Sequence, residues 1–345
     1  MLRKPALLKT VLVLLVFVVS ILASGCGNKA GNEKNSGSNN DNKQIRVALF
    51  ELASANEWNQ ALLNGVKSKL DEYNASLQVF DCEFSVQKQY DQIQDAITTG
   101  KFDALLIQPQ DTNAVVPLVK EAINKGIKVI AVDAPLGPNI RSLEPYPDGV
   151  SCVVGRTGWS TGNWLGKYAV KASEGMKVCK VAFLIGSQGQ TIDRDRYEGF
   201  LNQIKDHPNI KVVAFQQANY DRATARNIMM NVFQAHPDIN IVVSTGDQMT
   251  LGAEDAAKEL GIKGVKYIGN GCSKQGYQAL KEGRWYASYA DIPYTEGQLC
   301  LENAVKAVRG EKIPRSINLE DMRPPLPPEG PMITPENAHE YKPQW

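Results

Sequence analysis

The feature that most constrains this 345-residue chain is an alternation that runs through it twice, of short apolar stretches with longer segments of helical period. In the first series, Ile45–Leu52, Ser76–Asp81, Ala104–Ile107 and Val129–Val132 read as strands. Trp58–Tyr73, Tyr90–Ile97 and Val115–Asn124 lie between them and repeat apolar residues at the three- and four-residue spacing of a helix face. A second series starts at Cys152, with strands at Val181–Ile185, Val212–Phe215, Ile241–Ser244 and Tyr267–Ile268. Its helices fall around Trp164–Ala172, Arg196–Ile204, Ala223–Phe233 and Leu251–Leu260. Apolar strands interleaved with helices of this length belong to parallel sheets covered on both faces. The expected fold class is therefore α/β, with two similar doubly wound parallel-sheet lobes. The Pro- and Gly-rich stretch Ala134–Gly149 reads as the first crossing between them. Tyr286–Ile292 reads as a further strand and Thr295–Val308 as a helix, while Pro324–Trp345, with seven prolines, reads as an extended wrap or tail.

The 38 basic and 37 acidic side chains nearly cancel, which removes the basic excess a nucleic-acid binder needs. Three histidines leave little for a metal site, and no metal or cofactor is expected. At the N-terminus, Arg3, Lys4 and Lys9 flank an apolar run, Val11 to Leu22, too short for a spanning helix of roughly 20 residues and suited to an export leader. Leu22-Ala23-Ser24-Gly25-Cys26 follows it and resembles the lipobox of bacterial lipoproteins. That resemblance implies cleavage after Gly25, a lipidated Cys26, and an anchor in the cell membrane on its extracytoplasmic side. Residues 26–44, rich in Asn, Gly, Ser and Lys, read as a flexible tether. The remaining cysteines (Cys82, Cys152, Cys179, Cys272 and Cys300) are widely spaced and odd in number, and read as free, mostly buried thiols.

In doubly wound sheets, ligands bind beyond the carboxyl ends of the strands. Asn56, Trp58 and Asn59 follow the first strand; Gln108 and Asp111 follow the third; Asp133 ends the fourth. The second series offers Gln188, Gln190, Arg194, Asp195 and Arg196, then Tyr220, Asp247, Asn270 and Asp291. Carboxylates accept hydroxyl protons, arginine donates in a fixed fork, and aromatic rings cover apolar C–H faces. This residue set suits a polyhydroxylated ligand. Arg194 reads as structural or exposed, and Asp247 as the cap of the helix that begins near Gln248.

From about Ile45 to Glu320 the sequence resembles the type I periplasmic binding proteins of sugar importers, in the ribose/galactose-binding group. The resemblance is carried by Asn56-Glu57-Trp58-Asn59, Val129-Ile130-Ala131-Val132-Asp133 and, most distinctively, Arg194-Asp195-Arg196-Tyr197-Glu198-Gly199-Phe200. Ala218-Asn219-Tyr220-Asp221-Arg222, Gly246–Ala253 and Ile268-Gly269-Asn270-Gly271 support it. The family's binding positions fall on Asn56, Trp58, Asn59, Asp133, Arg196, Tyr220 and Asp291, and Asn270 stands where an aspartate is usual. The resemblance further implies a hinge of three crossings, near Gly155, Asp291 and Asn318–Glu320. The lobes would then be 45–155 plus 292–318, and 156–291 plus 319–323, followed by a Pro-rich tail, 324–345. It implies a monomeric, non-catalytic receptor that captures a sugar or polyol by hinge closure and presents it to the permease subunits of an ABC importer.

Two further positions depart from the ribose pattern, with Ala134 in place of an arginine and Gly246 in place of an asparagine. Both losses remove donors and open room, pointing to a differently substituted or larger sugar. Two other functions compete: a receptor of the same fold for a furanose-like signal feeding a membrane sensor, and an exported glycoside hydrolase using Asp133 and Asp291 as paired carboxylates.

Overall fold

The computed structural model describes residues 43–345. The expected leader, Cys26 and nearly all of the tether lie outside the described residues. The first lobe begins with β1 (Ile45–Glu51), α1 (Glu57–Lys67), β2 (Ala75–Asp81), α2 (Val86–Thr99), β3 (Ala104–Ile107), α3 (Val116–Asn124), β4 (Lys128–Asp133) and β5 (Cys152–Gly155). There follow α4 (Gly158–Ala172), β6 (Cys179–Ile185), α5 (Thr191–Ile204), β7 (Ile210–Gln217) and α6 (Arg222–Ala235). Next come β8 (Ile241–Ser244), α7 (Asp247–Glu259), β9 (Lys266–Gly271), α8 (Lys274–Lys281) and β10 (Ala287–Ala290). The chain closes with α9 (Pro293–Val308), β11 (Ser316–Asn318) and β12 (Met332–Ile333).

The two sheets have the same plan. One runs β11-β5-β4-β3-β1-β2 and the other β12-β10-β9-β8-β6-β7, each with its first strand flanked by its second and third. Every pairing is parallel except β12 on β10. The central strands are buried and, but for Ser244, apolar, as a sheet covered on both faces requires: Ala104–Ile107 and Ile241–Ser244 have no exposed residue. Strand order reverses between β2 and β3 around β1, and between β7 and β8 around β6. Those are the two switch points, where the carboxyl ends splay apart and leave a crevice.

The chain passes between the sheets three times, after Gly155, after Asp291 and after Asn318. Ala134–Gly149 is not a crossing, because it joins β4 to β5 within one sheet, and Cys152–Gly155 completes the first sheet instead of opening the second. Its Pro and Gly residues shape a long loop, a role composition alone does not distinguish from a linker. Beside the second crossing, α1 and α9 meet at glycines: a Cβ on Gly65 would lie 2.0 Å from the Tyr294 carbonyl oxygen, and one on Gly297 2.1 Å from that of Leu62. The tail does more than wrap. It supplies β12 to the second sheet and buries Leu326, Ala338, Tyr341 and Trp345.

Candidate functional site

The carboxyl ends of both sheets open onto one cavity, with an empty volume of about 450 Å³. All eight residues singled out from the sequence line it: Asn56, Trp58, Asn59 and Asp133 from the first lobe, Arg196, Tyr220 and Asn270 from the second, and Asp291 at the crossing.

The first-lobe wall is built from amides tied to the backbone. Asn56 caps α1, its side chain accepting from the amides of Trp58 (2.9 Å) and Asn59 (3.4 Å), so the sequence that starts the helix also aims the indole. Asn59 Nδ2 donates to the Ala53 carbonyl at 2.9 Å. Gln108 accepts from Leu52 N–H at 3.3 Å and reaches Asp133 Oδ2 at 3.5 Å. Asp133 ends β4 at φ +68°, and Phe84 and Tyr220 on the rim have φ +57° and +54°. Such positive values are costly for residues other than glycine, and here they turn three side chains toward the same space.

The second-lobe wall is ionic. Arg196, 4 % exposed, donates through Nη1 to Asp193 Oδ1 (3.0 Å) and to Tyr220 Oη (3.1 Å), while the Tyr220 hydroxyl donates to Asp193 Oδ1 at 2.5 Å. Burial pushes the Asp193 carboxyl above its ordinary range, and the Arg196 guanidinium opposes that rise. The Tyr220 ring lies where a side chain on Gly246 would stand, since a Cβ there would be 2.7 Å from Tyr220 Cδ1. The room expected from the missing asparagine is therefore filled by an aromatic ring, which stacks in turn on Phe84 of the first lobe at a centroid distance of 6.1 Å.

Arg156 joins the two walls and was not found from the sequence. It follows Gly155 at the first crossing, is 2 % exposed, and lies 3.0 Å from Asp133 Oδ1, 2.6 Å from Asp291 Oδ1 and 3.9 Å from Glu296 Oε2. A guanidinium thus enters the cavity from the hinge, although Ala134 has taken the place of the usual arginine. Burial raises the Asp291 and, more strongly, the Glu296 carboxyl, with Arg156 pulling both back. The strand-end rule applies to Arg156 as much as to Asp133, so the signal was present. Gln108 and Gln190 were noted at strand ends without being selected, whereas Phe84 and Trp345, also on the cavity wall, carried no such mark.

Two neighbours stand apart from the cavity. Arg194 is turned away from it and donates to the Gln188 carbonyl at 2.8 Å. Asp247 does not cap α7, whose cap residue Gly246 has no side chain to bond. It is the first residue of that helix, fully buried, and its carboxylate accepts from Ser273 N (2.7 Å), Ser273 Oγ (2.9 Å) and Ser288 Oγ (3.0 Å). Its donors are Ser273, the residue that caps α8, and Ser288 of β10.

Several buried polar atoms on the cavity wall have no hydrogen-bond partner. Trp58 Nε1, Arg156 Nε and Arg196 Nε are donors and Asn270 Oδ1 and Gln190 Oε1 are acceptors, whereas Asp133 Oδ1 and Asp291 Oδ1 are held by the Arg156 ion pairs. The five cysteines of the described residues are free and buried, none of them on this wall. Among the described residues no group of three or more His, Cys, Asp or Glu side chains is arranged to hold a metal, and no helix is long and apolar enough to cross a membrane.

Residues 47–312 match the family profile described as the periplasmic binding protein domain. The chain is 32 % identical over 269 residues to the ribose import binding protein RbsB of Escherichia coli, covering 77 % of this chain and 86 % of that one. It is 29 % identical over 260 residues to the galactofuranose-binding protein YtfQ of the same organism, covering 73 % and 79 %. Among solved structures, an ABC transporter solute-binding protein from Mycobacterium smegmatis with bound glycerol superposes with a TM-score of 0.74 at 28 % identity, over 86 % of this chain and 96 % of that one.

Proposed function

The chain belongs to the periplasmic binding protein family, and from that premise we propose that it captures a monosaccharide-sized sugar or polyol between its lobes, unchanged, for an ABC importer. The observation that carries this reading is the mixture on the cavity wall of three unpartnered donors with two unpartnered acceptors, beside carboxylates and guanidinium groups already paired with each other. An anion would meet Asp133 and Asp291, and a cation would meet Arg156 and Arg196. An apolar ligand would leave every one of these atoms unsatisfied, at about 1–3 kcal/mol each. A hydroxyl both donates and accepts, so a ring or chain of hydroxyls satisfies the whole set. Trp58 and Tyr220 supply the flat faces that cover C–H groups.

Asp133 and Asp291 are ion-paired to the same guanidinium, which favours holding hydroxyls over hydrolysis, where one carboxyl must stay free to give up its proton. The names of the relatives bring ribose, galactofuranose and glycerol into the range to test. Arg156 approaches from the hinge instead of from position 134, which favours a furanose or polyol other than ribose. The lipidated Cys26 would hold the protein on the outer face of the cell membrane, within reach of the permease.

A melting-temperature screen across pentoses, hexoses, furanosides, sugar alcohols, inositols and nucleosides tests the reading. One or more polyhydroxylated neutral compounds should raise the melting point, because a ligand that binds only the folded state stabilises it by mass action. A protein that responds only to charged or apolar compounds would refute it. Incorporation of a labelled fatty acid, lost in Cys26→Ala, checks the anchor.

A further inference from the structure

The tail brings one residue to the site that neither the strand-end rule nor the family resemblance assigns. Trp345 is 8 % exposed and lines the cavity. Its Nε1 donates to the Gly271 carbonyl at 3.1 Å, and its own carbonyl accepts from Lys274 N–H at 2.6 Å. The fit is close enough that a Cβ on Gly271, at φ +129°, would lie 2.3 Å from the indole. The neighbouring Gln344 is bonded to the other lobe, its Oε1 accepting from Thr295 N at 3.0 Å and its Nε2 donating to Thr295 Oγ1 at 2.7 Å. Tyr341 donates to the Asp291 carbonyl at 2.9 Å. The indole is therefore held from both sides of the second crossing and is a fixed wall.

The same indole has a second side. It also lines a separate groove between α1 and α8, formed with Glu57, Gln60, Ser273, Lys274 and Gln275. Ala61 and Tyr294 add apolar surface to these polar side chains, and only Trp345 is common to the two spaces.

We propose that Trp345 sets the length of ligand this cleft accepts: its indole closes the sugar cavity against the adjacent groove, and without it a substituent on the sugar would run through into that groove. The inference rests on the capture reading above and adds what limits it. Removing an indole takes away a large apolar face from the bound ring and joins the two spaces.

Calorimetry on the full chain and on Trp345→Ala and Trp345→Phe decides the matter. The probes are D-ribose, D-allose, D-galactose, myo-inositol and xylitol, with the methyl and phenyl glycosides of the three sugars. The wild type should bind at least one free compound and reject phenyl glycosides. Trp345→Ala should bind that compound about tenfold or more weakly and bind a phenyl glycoside about tenfold or more tightly than the wild type does, with Trp345→Phe between. If Trp345→Ala binds both classes as the wild type does, the inference falls and the capture reading stands. The free compound and its phenyl derivative are taken from the melting-temperature screen where none of these five binds, and if that screen returns no polyhydroxylated compound, both fall. Should Trp345→Ala fail to fold, Trp345→Phe, which keeps an aromatic plane but shortens it, is read by the same ratio of free to substituted sugar, and an unchanged ratio overturns the proposal.

Discussion

The two lobes share a strand order but furnish the cavity in different ways. Apart from Asp133, which pairs with the hinge residue Arg156, the first lobe presents Asn56, Asn59 and Gln108, neutral amides whose positions are fixed by bonds to backbone groups at Trp58, Ala53 and Leu52. The second presents Arg196 and Tyr220, fixed by a buried carboxylate, Asp193, which among the described residues is ion-paired with Arg196 alone. A neutral amide that is deleted leaves behind one unmet backbone group, at about 1–3 kcal/mol. An arginine that is deleted leaves a buried charge, for which the typical cost is about 3–5 kcal/mol. A fold that repeats its topology therefore does not repeat its energetics, and the two walls should fail differently when mutated.

The largest effect is expected at the ionic wall. Arg196→Met should lower apo stability in urea by about 3–5 kcal/mol and abolish the ligand-induced rise in melting temperature, because Asp193 is then stranded beside Tyr220. Asn59→Ala should cost apo stability about 1 kcal/mol and weaken binding without abolishing it. Equal losses in the two variants would break the distinction between the lobes.

Next in size is a pH dependence within the second lobe, from a carboxylate that has no arginine beside it. Burial pushes Asp247 up to about 6 from an ordinary 3.8, offset only in part by its bonds to Ser273 and Ser288. The folded form then binds a proton that the unfolded chain has already released. The resulting stabilisation is complete below the ordinary carboxylate range and is lost as pH rises through about 6, a swing on the order of 3 kcal/mol. Urea melts from pH 4 to pH 7.5 should show this loss in the wild type and a flatter profile in Asp247→Asn, which does not titrate. Parallel profiles would mean that the hydroxyl and amide donors hold Asp247 ionised throughout.

The same contrast explains what was legible in the sequence. Asn56, Asp133 and Asp291 stand at or just past strand ends, where topology brings them to the crevice, Arg196 reaches it from the second turn of α5, and all four line it. Arg156 stands at such an end too, but β5 read as the opening of the second series, so its last residue was not counted as a terminus of the first sheet. Asp247 read as a helix cap and is instead the buried acceptor of two serines, which no local pattern shows because Ser273 and Ser288 come near only once β9, α8 and β10 are packed. Trp345 lies in a tail without periodicity, and its position depends on β12 joining β10, a pairing two residues long that no local pattern announces.

A smaller effect belongs to the amide wall. Asn56→Ala removes the cap of α1 and the anchor of the Trp58 amide. Loss of an N-cap typically costs about 1 kcal/mol, and ligand affinity should fall about tenfold as the indole loses its aim. Asn56→Asp, which caps equally well, should restore stability but not affinity, since it adds a charge beside the acceptors Asp133 and Asp291. Full recovery of both would mean that Asn56 acts only as a cap.

The smallest effect should come from the contact that ties the lobes together away from the cavity. Arg141, on the loop between β4 and β5, donates to Asp195 Oδ1 at 3.0 Å, pairs with Glu198 at 2.5 Å and lies 3.6 Å above the Trp159 ring. Its partners belong to α4 and α5, so the contact exists only while the lobes are together. Burial raises the Asp195 carboxyl and Arg141 lowers it again, yet the Arg141 side chain is 43 % exposed and open to screening by salt. Exposed ion pairs contribute about 0–1 kcal/mol, and a cation over an exposed ring about as much. Arg141→Ala should therefore weaken ligand binding by less than about fivefold, with the difference from the wild type shrinking at high salt. The closing energy would then come chiefly from the ligand satisfying both walls at once, and the latch would only bias the lobes toward meeting. A loss as large as that of Arg196→Met would reverse this order and make the rim, not the cavity, the seat of closure.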